Sequence, residues 1–356
     1  VKNTVLITNS PAPYREKIHE KLYSCFKGHY RVIYCAEREV NREWVFDYGM
    51  YRKSFLAGKE VNTVHNNFNV IRLLNKINPE VVIIMGYYPT MMYCYLWTLF
   101  KVRKLIVFTD GTLLSESSLT FMHRLVRWIV FKRANSFIGP SKGSADLYQS
   151  YGIEKERFFR TYLAVDNSKF ANATFEQRKY DIMFSGQFID RKMPFFFVEI
   201  ARILKEKNKM CTVLMLGDGP LRSKVIELLN RYEIVYDCPG FIQQKELPAY
   251  YAQAKLLLFP SKNDPWGVVA NEAMAAGLPV LTCEAAGVAH DLVRSGENGY
   301  VLPLIARQWA DTADRLLSDP DLYEEISANA KRIVQEYNFD NAAQGIIDAI
   351  QFTRQN

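Results

Sequence analysis

Phe259–Pro279 reads FPSKNDPWGVVANEAMAAGLP, and the fold is decided there. An apolar run ends at Phe259, and a loop follows with Asp264, Pro265, Trp266 and Gly267. Val268–Ala276 then has helical composition, with Ala270, Ala273, Ala275 and Ala276 small enough for close packing. Gly277 suits the left-handed cap that ends a helix, and Pro279 opens the next strand. Strand, loop, helix and strand in so short a space are the repeating unit of a parallel α/β sheet.

The same rhythm runs outward in both directions. Strands are expected at Asp181–Phe184, Thr212–Leu216, Ile234–Tyr236, Leu256–Phe259, Val280–Thr282 and Tyr300–Leu302 in the second half. In the first half they are expected at Thr4–Thr8, Tyr30–Ala36, Val81–Met85, Leu105–Thr109 and Ser136–Ile138, with helices at Arg15–Phe26, Asn67–Ile77 and Ser144–Tyr151. A polar stretch, Asn167–Tyr180, separates the halves. The expected domains are therefore residues 1–166 and 181–340, joined by a linker at 167–180, with a helix over 341–356 that returns to the first domain. Both are doubly wound α/β sheets, whose ligands bind beyond the carboxyl ends of the strands.

Composition narrows the class. Aromatic residues make up 13% of the 356, too many for a disordered chain. Six cysteines without C-x-x-C spacing fit free thiols in a reducing compartment rather than a disulfide framework. The opening VKNTVLITN lacks the pattern of a signal peptide. Residues 81–100 hold no charge, the length of a membrane span. Gly86-Tyr87-Tyr88-Pro89 divides them, so the reading is a buried strand, a turn and a helix over Thr90–Lys104.

Charge divides the chain as well. Residues 1–170 carry 25 Lys and Arg against 14 Asp and Glu, and the remainder carry 20 against 24. A basic half suggests an anionic partner. Ser118–Ala134, SLTFMHRLVRWIVFKRA, adds Arg124, Arg127, Lys132 and Arg133 to apolar residues at helical spacing, with Trp128 and Phe131 among them. That pattern describes either a helix lying on an anionic membrane or a core helix with a solvated basic edge.

The helix start at Gly267, Val268 and Val269 offers unpaired N–H groups and a positive dipole end to a diphosphate. Glu272, one turn on, can accept two hydrogen bonds from the vicinal diol of a ribose; the plain alternative is a surface acid. Asp264 would sit beyond the phosphates, or simply mark the helix entry.

These residues carry a family resemblance. Asp264-Pro265-Trp266-Gly267 followed by Glu272-Ala273-Met274-Ala275, Gly277 and Pro279 resembles the nucleotide-sugar signature of retaining glycosyltransferase family 4. The family generally has Glu where Asp264 stands. Gly186-Gln187-Phe188 with Arg191-Lys192 is similar to the family's G-R-L-x-x-x-K stretch, whose Arg and Lys hold the donor diphosphate. Lys192 matches the lysine, Gln187 replaces the arginine, and Arg191 is placed to supply the charge. Gly217-Asp218-Gly219-Pro220 resembles the G-x-G-P turn, and Gly240-Phe241-Ile242 the segment whose backbone reads the nucleobase. The likeness is close over 135–356 and only an outline before that.

The resemblance implies the GT-B fold, two facing Rossmann-like domains with a cleft between them. It implies transfer of a sugar from a UDP- or GDP-linked donor to an acceptor hydroxyl with retention of configuration. Lys192, Arg191, Asp264 and Asp110 are the catalytic candidates. Gly186, Gln187, Gly219, Phe241, Ile242, Gly267, Val268, Val269 and Glu272 are the donor-binding ones. Tyr14, Arg15 and Glu116 are acceptor candidates. Asp110 stands at a strand end where many relatives place a histidine, or is only a turn residue before Gly111. No histidine has metal-ligand spacing, and Asp319-Pro320-Asp321 reads as a helix cap, so no metal or other cofactor is expected. The expected acceptor is a saccharide, lipid-linked or membrane-associated, in polysaccharide or lipopolysaccharide assembly. Nucleic acid is not an expected partner, and the expected location is the cytoplasm, at the inner membrane face. The alternatives are a non-catalytic relative that binds a glycan or lipid, and a nucleotide-sugar epimerase or hydrolase.

Overall fold

Uncharged aliphatic runs with turn residues at both ends become buried parallel strands, and the segments between them become covering helices. The computed structural model describes residues 2–39, 44–45, 47–57, 59–61, 64–117, 119–170, 175–208 and 210–356. They form two compact units, one of residues 1–164 with 339–356 and one of residues 165–338.

The first unit contains β1 (Thr4–Thr8), α1 (Pro13–Cys25), β2 (Tyr30–Tyr34), β3 (Arg52–Phe55), the short hairpin β4 (Lys59–Val61) and β5 (Val64–Asn66), α2 (Val70–Ile77), β6 (Val81–Met85), α3 (Pro89–Phe100), β7 (Lys104–Phe108), α4 (Phe121–Arg133), β8 (Ser136–Gly139), α5 (Lys142–Ser150) and β9 (Phe158–Arg160). Its main sheet is parallel in the order β3-β2-β1-β6-β7-β8-β9. The uncharged stretch at 81–100 is a strand and a helix. That helix ends at Phe100 rather than Lys104, because Val102 takes a left-handed φ of 49° and Lys104 pairs with Val81 in the sheet. Among the described residues no helix is long and apolar enough to cross a membrane. Edge strands β3 and β9 were not expected from sequence. They are short and carry Arg52, Lys53 and Arg160, charges that blunt a sheet edge and hide its periodicity.

The second unit contains β10 (Tyr180–Ser185), α6 (Pro194–Asn208), β11 (Thr212–Leu216), α7 (Arg222–Arg231), β12 (Val235–Gly240), α8 (Leu247–Tyr251), β13 (Ala254–Phe259), α9 (Val268–Ala275), β14 (Val280–Thr282), β15 (Gly299–Val301), α10 (Ala306–Ser318) and α11 (Pro320–Val334). All strands are parallel, in the order β12-β11-β10-β13-β14-β15. The connection expected over 167–180 is built into this unit. Asn167 Nδ2 donates to Val334 O, Phe170 is buried, and Tyr180 already belongs to β10. Buried Arg178 donates to the carbonyls of Tyr251, Ala254 and Ala276, capping the ends of α8 and α9. Residues 171–174 of that connection lie outside the described residues.

The last helix, α12 (Phe339–Gln355), belongs to the first unit. A Cβ on Gly345 would lie 1.8 Å from Arg160 O, so only glycine lets the helix come this close to β9. Ser136 and Thr353 share a 2.7 Å hydroxyl hydrogen bond, Thr161 Oγ1 donates to Ala342 O, and Arg354 donates to Lys2 O.

Candidate active site

In the second sheet the strand order reverses between β10 and β13. Loops leaving the carboxyl ends of two such strands part to opposite faces and open a crevice for a ligand. The loop after β10 is Gly186–Met193. The loop after β13 runs from Pro260 to Gly267.

The first loop is held by its neighbours. Gly186 N donates to Leu216 O, Phe188 N donates to Asp218 O, and Gly217 N donates to Gly240 O. Buried Phe188 anchors its middle. A Cβ on Gly217 would lie 2.0 Å from Gly186 O, and one on Gly219 2.7 Å from Phe188 O. These glycines let the loops after β10 and β11 touch, which explains Gly219 by packing. Phe241 and Ile242 leave β12 half-buried.

The two loops are then joined. The Lys192 ammonium forms an ion pair with Asp264 Oδ2, and Arg191 reaches the same oxygen at 3.4 Å. Arg191 also donates to Asn263 O at 2.7 Å, and Lys262 N donates to Arg191 O. Asp264 is fixed from behind. Its N donates to Ala285 O, its O accepts from Gly287 N, and Oδ1 accepts from Trp266 N. Ala285 and Gly287 had no signal in the sequence. A Cβ on Gly287 would lie 1.9 Å from Pro265 O, so this glycine too serves contact between loops. The Asp264 side chain is only 9% exposed, while Arg191 is 43% exposed. Asp264 pairs with the two cations that the resemblance expects to hold the diphosphate, and offsets part of their charge. Gln187 is exposed, and the cations that reach this carboxylate are Arg191 and Lys192.

α9 starts beside this cluster. Gly267 has φ 104°, and a Cβ there would lie 2.2 Å from the Phe259 ring, so the glycine is needed by packing as well as by conformation. Val268 and Val269 are half-buried and form the first turn. At its other end Gly277, at φ 76°, caps α9 while Leu278 N donates to Ala273 O.

Glu272 is not a surface acid. It is 6% exposed, and Tyr251 Oη donates to its Oε2 at 2.7 Å. Burial away from water disfavours the carboxylate and pushes its pKa up to about 7; the Tyr251 bond works in the opposite direction.

The first-unit candidates form two ion pairs. Arg15, on the first turn of α1, meets Asp110 at 3.3 Å, with its guanidinium 4.9 Å from the Phe108 ring centre. Tyr14 packs edge-on to Trp44. Glu116 meets Arg127 at 2.7 Å, and both side chains are largely buried. Arg127, one of the four cations of the basic segment, therefore faces inward over the Tyr87 ring rather than toward an external surface. The rest of α4 presents Phe121, Met122, Trp128 and Ile129 to solvent, with Lys132 stacked on Trp128. Ser118 lies outside the described residues. Among the described residues no three His, Cys, Asp or Glu side chains cluster as metal ligands, and Asp319 caps α11 by accepting from Leu322 N.

Residues 165–333, nearly all of the second unit, match the family described as glycosyl transferases group 1. The second unit carries the chain's likeness to group 1 glycosyl transferases. Two curated relatives match part of the chain. An alpha-D-kanosaminyltransferase of Streptomyces kanamyceticus is 26% identical over 220 residues, 57% of this chain and 56% of the relative. An uncharacterized glycosyltransferase of Methanocaldococcus jannaschii is 31% identical over 174 residues, 47% of this chain and 43% of the relative. The chain thus spans about half the length of these relatives. Crystal structures extend the likeness in fold to both units. HepE of Anabaena, in complex with UDP and glucose, superposes with a TM-score of 0.76 at 15% identity, covering 99% of this chain and 100% of HepE. A glycosyltransferase of Rickettsia africae gives 0.76 at 17% identity, covering 100% and 99%. The two units have the GT-B fold.

Proposed function

We propose that the chain is a retaining glycosyltransferase that moves a sugar from a nucleoside-diphosphate sugar to a hydroxyl of a saccharide acceptor. The observation that carries this reading is the meeting of Lys192, Arg191 and Asp264 beside the start of α9, at the strand-order reversal of the unit that matches group 1 glycosyl transferases. HepE has been crystallised with UDP-glucose, which makes a UDP-linked donor the first to test, with GDP-linked donors next.

In the reaction the bond between the anomeric carbon and the β-phosphate oxygen breaks, and charge accumulates on the departing diphosphate. Lys192, Arg191 and the amides of Gly267, Val268 and Val269 supply positive potential for that charge. An ammonium has three donors, so Lys192 can keep Asp264 while turning another N–H to a phosphate oxygen. The acceptor oxygen forms the new bond on the face that the leaving group vacates, and its proton passes to the diphosphate. On this route the chain's own cations perform the charge stabilisation, and turnover proceeds without added divalent metal.

We further propose a lipid-linked or membrane-associated acceptor. Exposed Phe121, Met122, Trp128 and Ile129 with Lys132 and Arg124 support contact between the first unit and an anionic bilayer. Flotation with anionic vesicles at low salt tests this, and protein that stays at the bottom of the gradient refutes it. The donor reading is tested by metal-free thermal stabilisation with UDP, GDP, ADP and CMP. One diphosphate at a hundredfold excess over its Kd should stabilise the protein by about 2.7 kcal/mol. No shift with any of the four refutes the reading in favour of a non-catalytic relative.

A further inference from the structure

Tyr251, the last residue of α8, lies outside the motifs yet makes direct contact with one of their residues. It is fully buried, and its hydroxyl donates to Glu272 Oε2 at 2.7 Å. Ser185, at the carboxyl end of β10, lies near enough to the same phenol to oppose the upward push of burial on its pKa. Tyr251 thus links α8 to α9 through Glu272, close to the end of the central strand. Tyr251 itself has little room to move. Phe170 meets its ring edge-on, with ring centres 5.8 Å apart, and Arg178 holds its carbonyl.

A glutamate has three rotatable side-chain bonds, and its carboxylate offers about four lone-pair positions. The phenol occupies one of them and fixes the carboxylate plane. A vicinal diol needs two neighbouring acceptor positions presented together, and preorganising them removes the entropy cost of orienting a free side chain on binding. The arrangement suits recognition of paired hydroxyls better than a lone glutamate would.

We propose that Tyr251 is a positioning residue that holds Glu272 in the orientation that receives a ribose diol, and so sets the preference for ribonucleotides over deoxyribonucleotides. This rests on the donor reading given above, in which Glu272 meets the ribose.

Calorimetric titration of the wild-type chain, Tyr251→Phe and Ser185→Ala tests it. The probes are UDP, GDP and ADP, the 2′-deoxy and 3′-deoxy forms of whichever binds best, and inorganic pyrophosphate. Wild-type protein should favour the ribonucleotide over its deoxy forms by about tenfold or more, the worth of a charge-assisted hydrogen bond. Tyr251→Phe should reduce that ratio about fivefold and leave pyrophosphate affinity within about twofold. Ser185→Ala should reduce it in the same direction but less, and it carries the test if Tyr251→Phe does not fold. An unchanged ratio in the variants overturns the role of Tyr251 while the donor site stands. So does an equal loss for ribonucleotide, deoxynucleotide and pyrophosphate, which marks a purely structural tyrosine. Wild-type protein that binds none of the three nucleotides overturns the donor reading and this inference together.

Discussion

Replacing Glu272 with glutamine should make the second unit more stable at alkaline pH and worse at its task. The carboxyl sits at about 7 in the folded protein against an ordinary 4.5. Between those values the unfolded chain has released a proton that the native protein still holds. The native state then binds more protons, so stability falls as pH rises from 4.5 to 7, and the full cost is felt above 7. Roughly 2.5 pH units at 1.36 kcal/mol each is about 3 kcal/mol. Glutamine does not titrate, and its carbonyl can still accept from Tyr251. Glu272→Gln should therefore gain about 3 kcal/mol on wild type between pH 4.5 and pH 8, equivalent to roughly 6–12 °C in the melting transition of a unit this size. Differential scanning calorimetry of the ligand-free chain at both pH values measures it. The same variant should lose ribonucleotide affinity at pH 8. If the two proteins differ by the same amount at both pH values, Glu272 is not a buried acid with a raised pKa and the reasoning fails.

Three further outcomes follow from the geometry. Lys192→Ala should cut turnover at least a hundredfold, an effect of about 2.7 kcal/mol, with a smaller loss of nucleotide affinity; steady-state kinetics showing equal losses in both would remove it as the leaving-group cation. Asp264→Asn releases both cations from their shared carboxylate, so nucleoside-diphosphate binding should tighten a few-fold by calorimetry while turnover falls, and weaker binding would refute the neutralising role. Gly345→Ala places a Cβ against Arg160 O and should destabilise the first unit by about 1–3 kcal/mol in urea unfolding, leaving nucleotide binding to the second unit unchanged. An unaltered urea midpoint would count against the packing described for α12.

Most of the central parallel strands were legible because they are short, largely apolar runs with turn residues at their ends, as at Thr212–Leu216 and Val280–Thr282. Edge strand Arg52–Phe55 was not, since an edge tolerates cations that break the pattern. At the site, Asp264 and Glu272 could be named from the loop and helix that hold them and Lys192 from the family resemblance, but neither says who pairs with whom. That Asp264 already engages Lys192 and Arg191 is a fact of three loops folding together, with Ala285 and Gly287 supplying the brace. Tyr251 escaped for the same reason. A tyrosine 21 residues before a glutamate carries no periodic signal, and only the sheet brings them within 2.7 Å. The basic helix failed in one particular, because charge in a sequence does not say whether an arginine faces a bilayer or, like Arg127, a buried glutamate.

Assigning α12 to the first unit has a consequence for how the chain is made. A protein emerging from the ribosome usually completes its leading domain first. Here the leading unit lacks one wall until residues 339–356 arrive, and β7, β8 and β9 keep an open apolar face until then. The later-synthesised unit, continuous from residue 165 to 338, can close on itself while the earlier one still waits. We expect the order of completion to run against the order of synthesis. Nascent chains halted before Phe339 should show a protease-resistant second unit beside a first unit still open to cleavage.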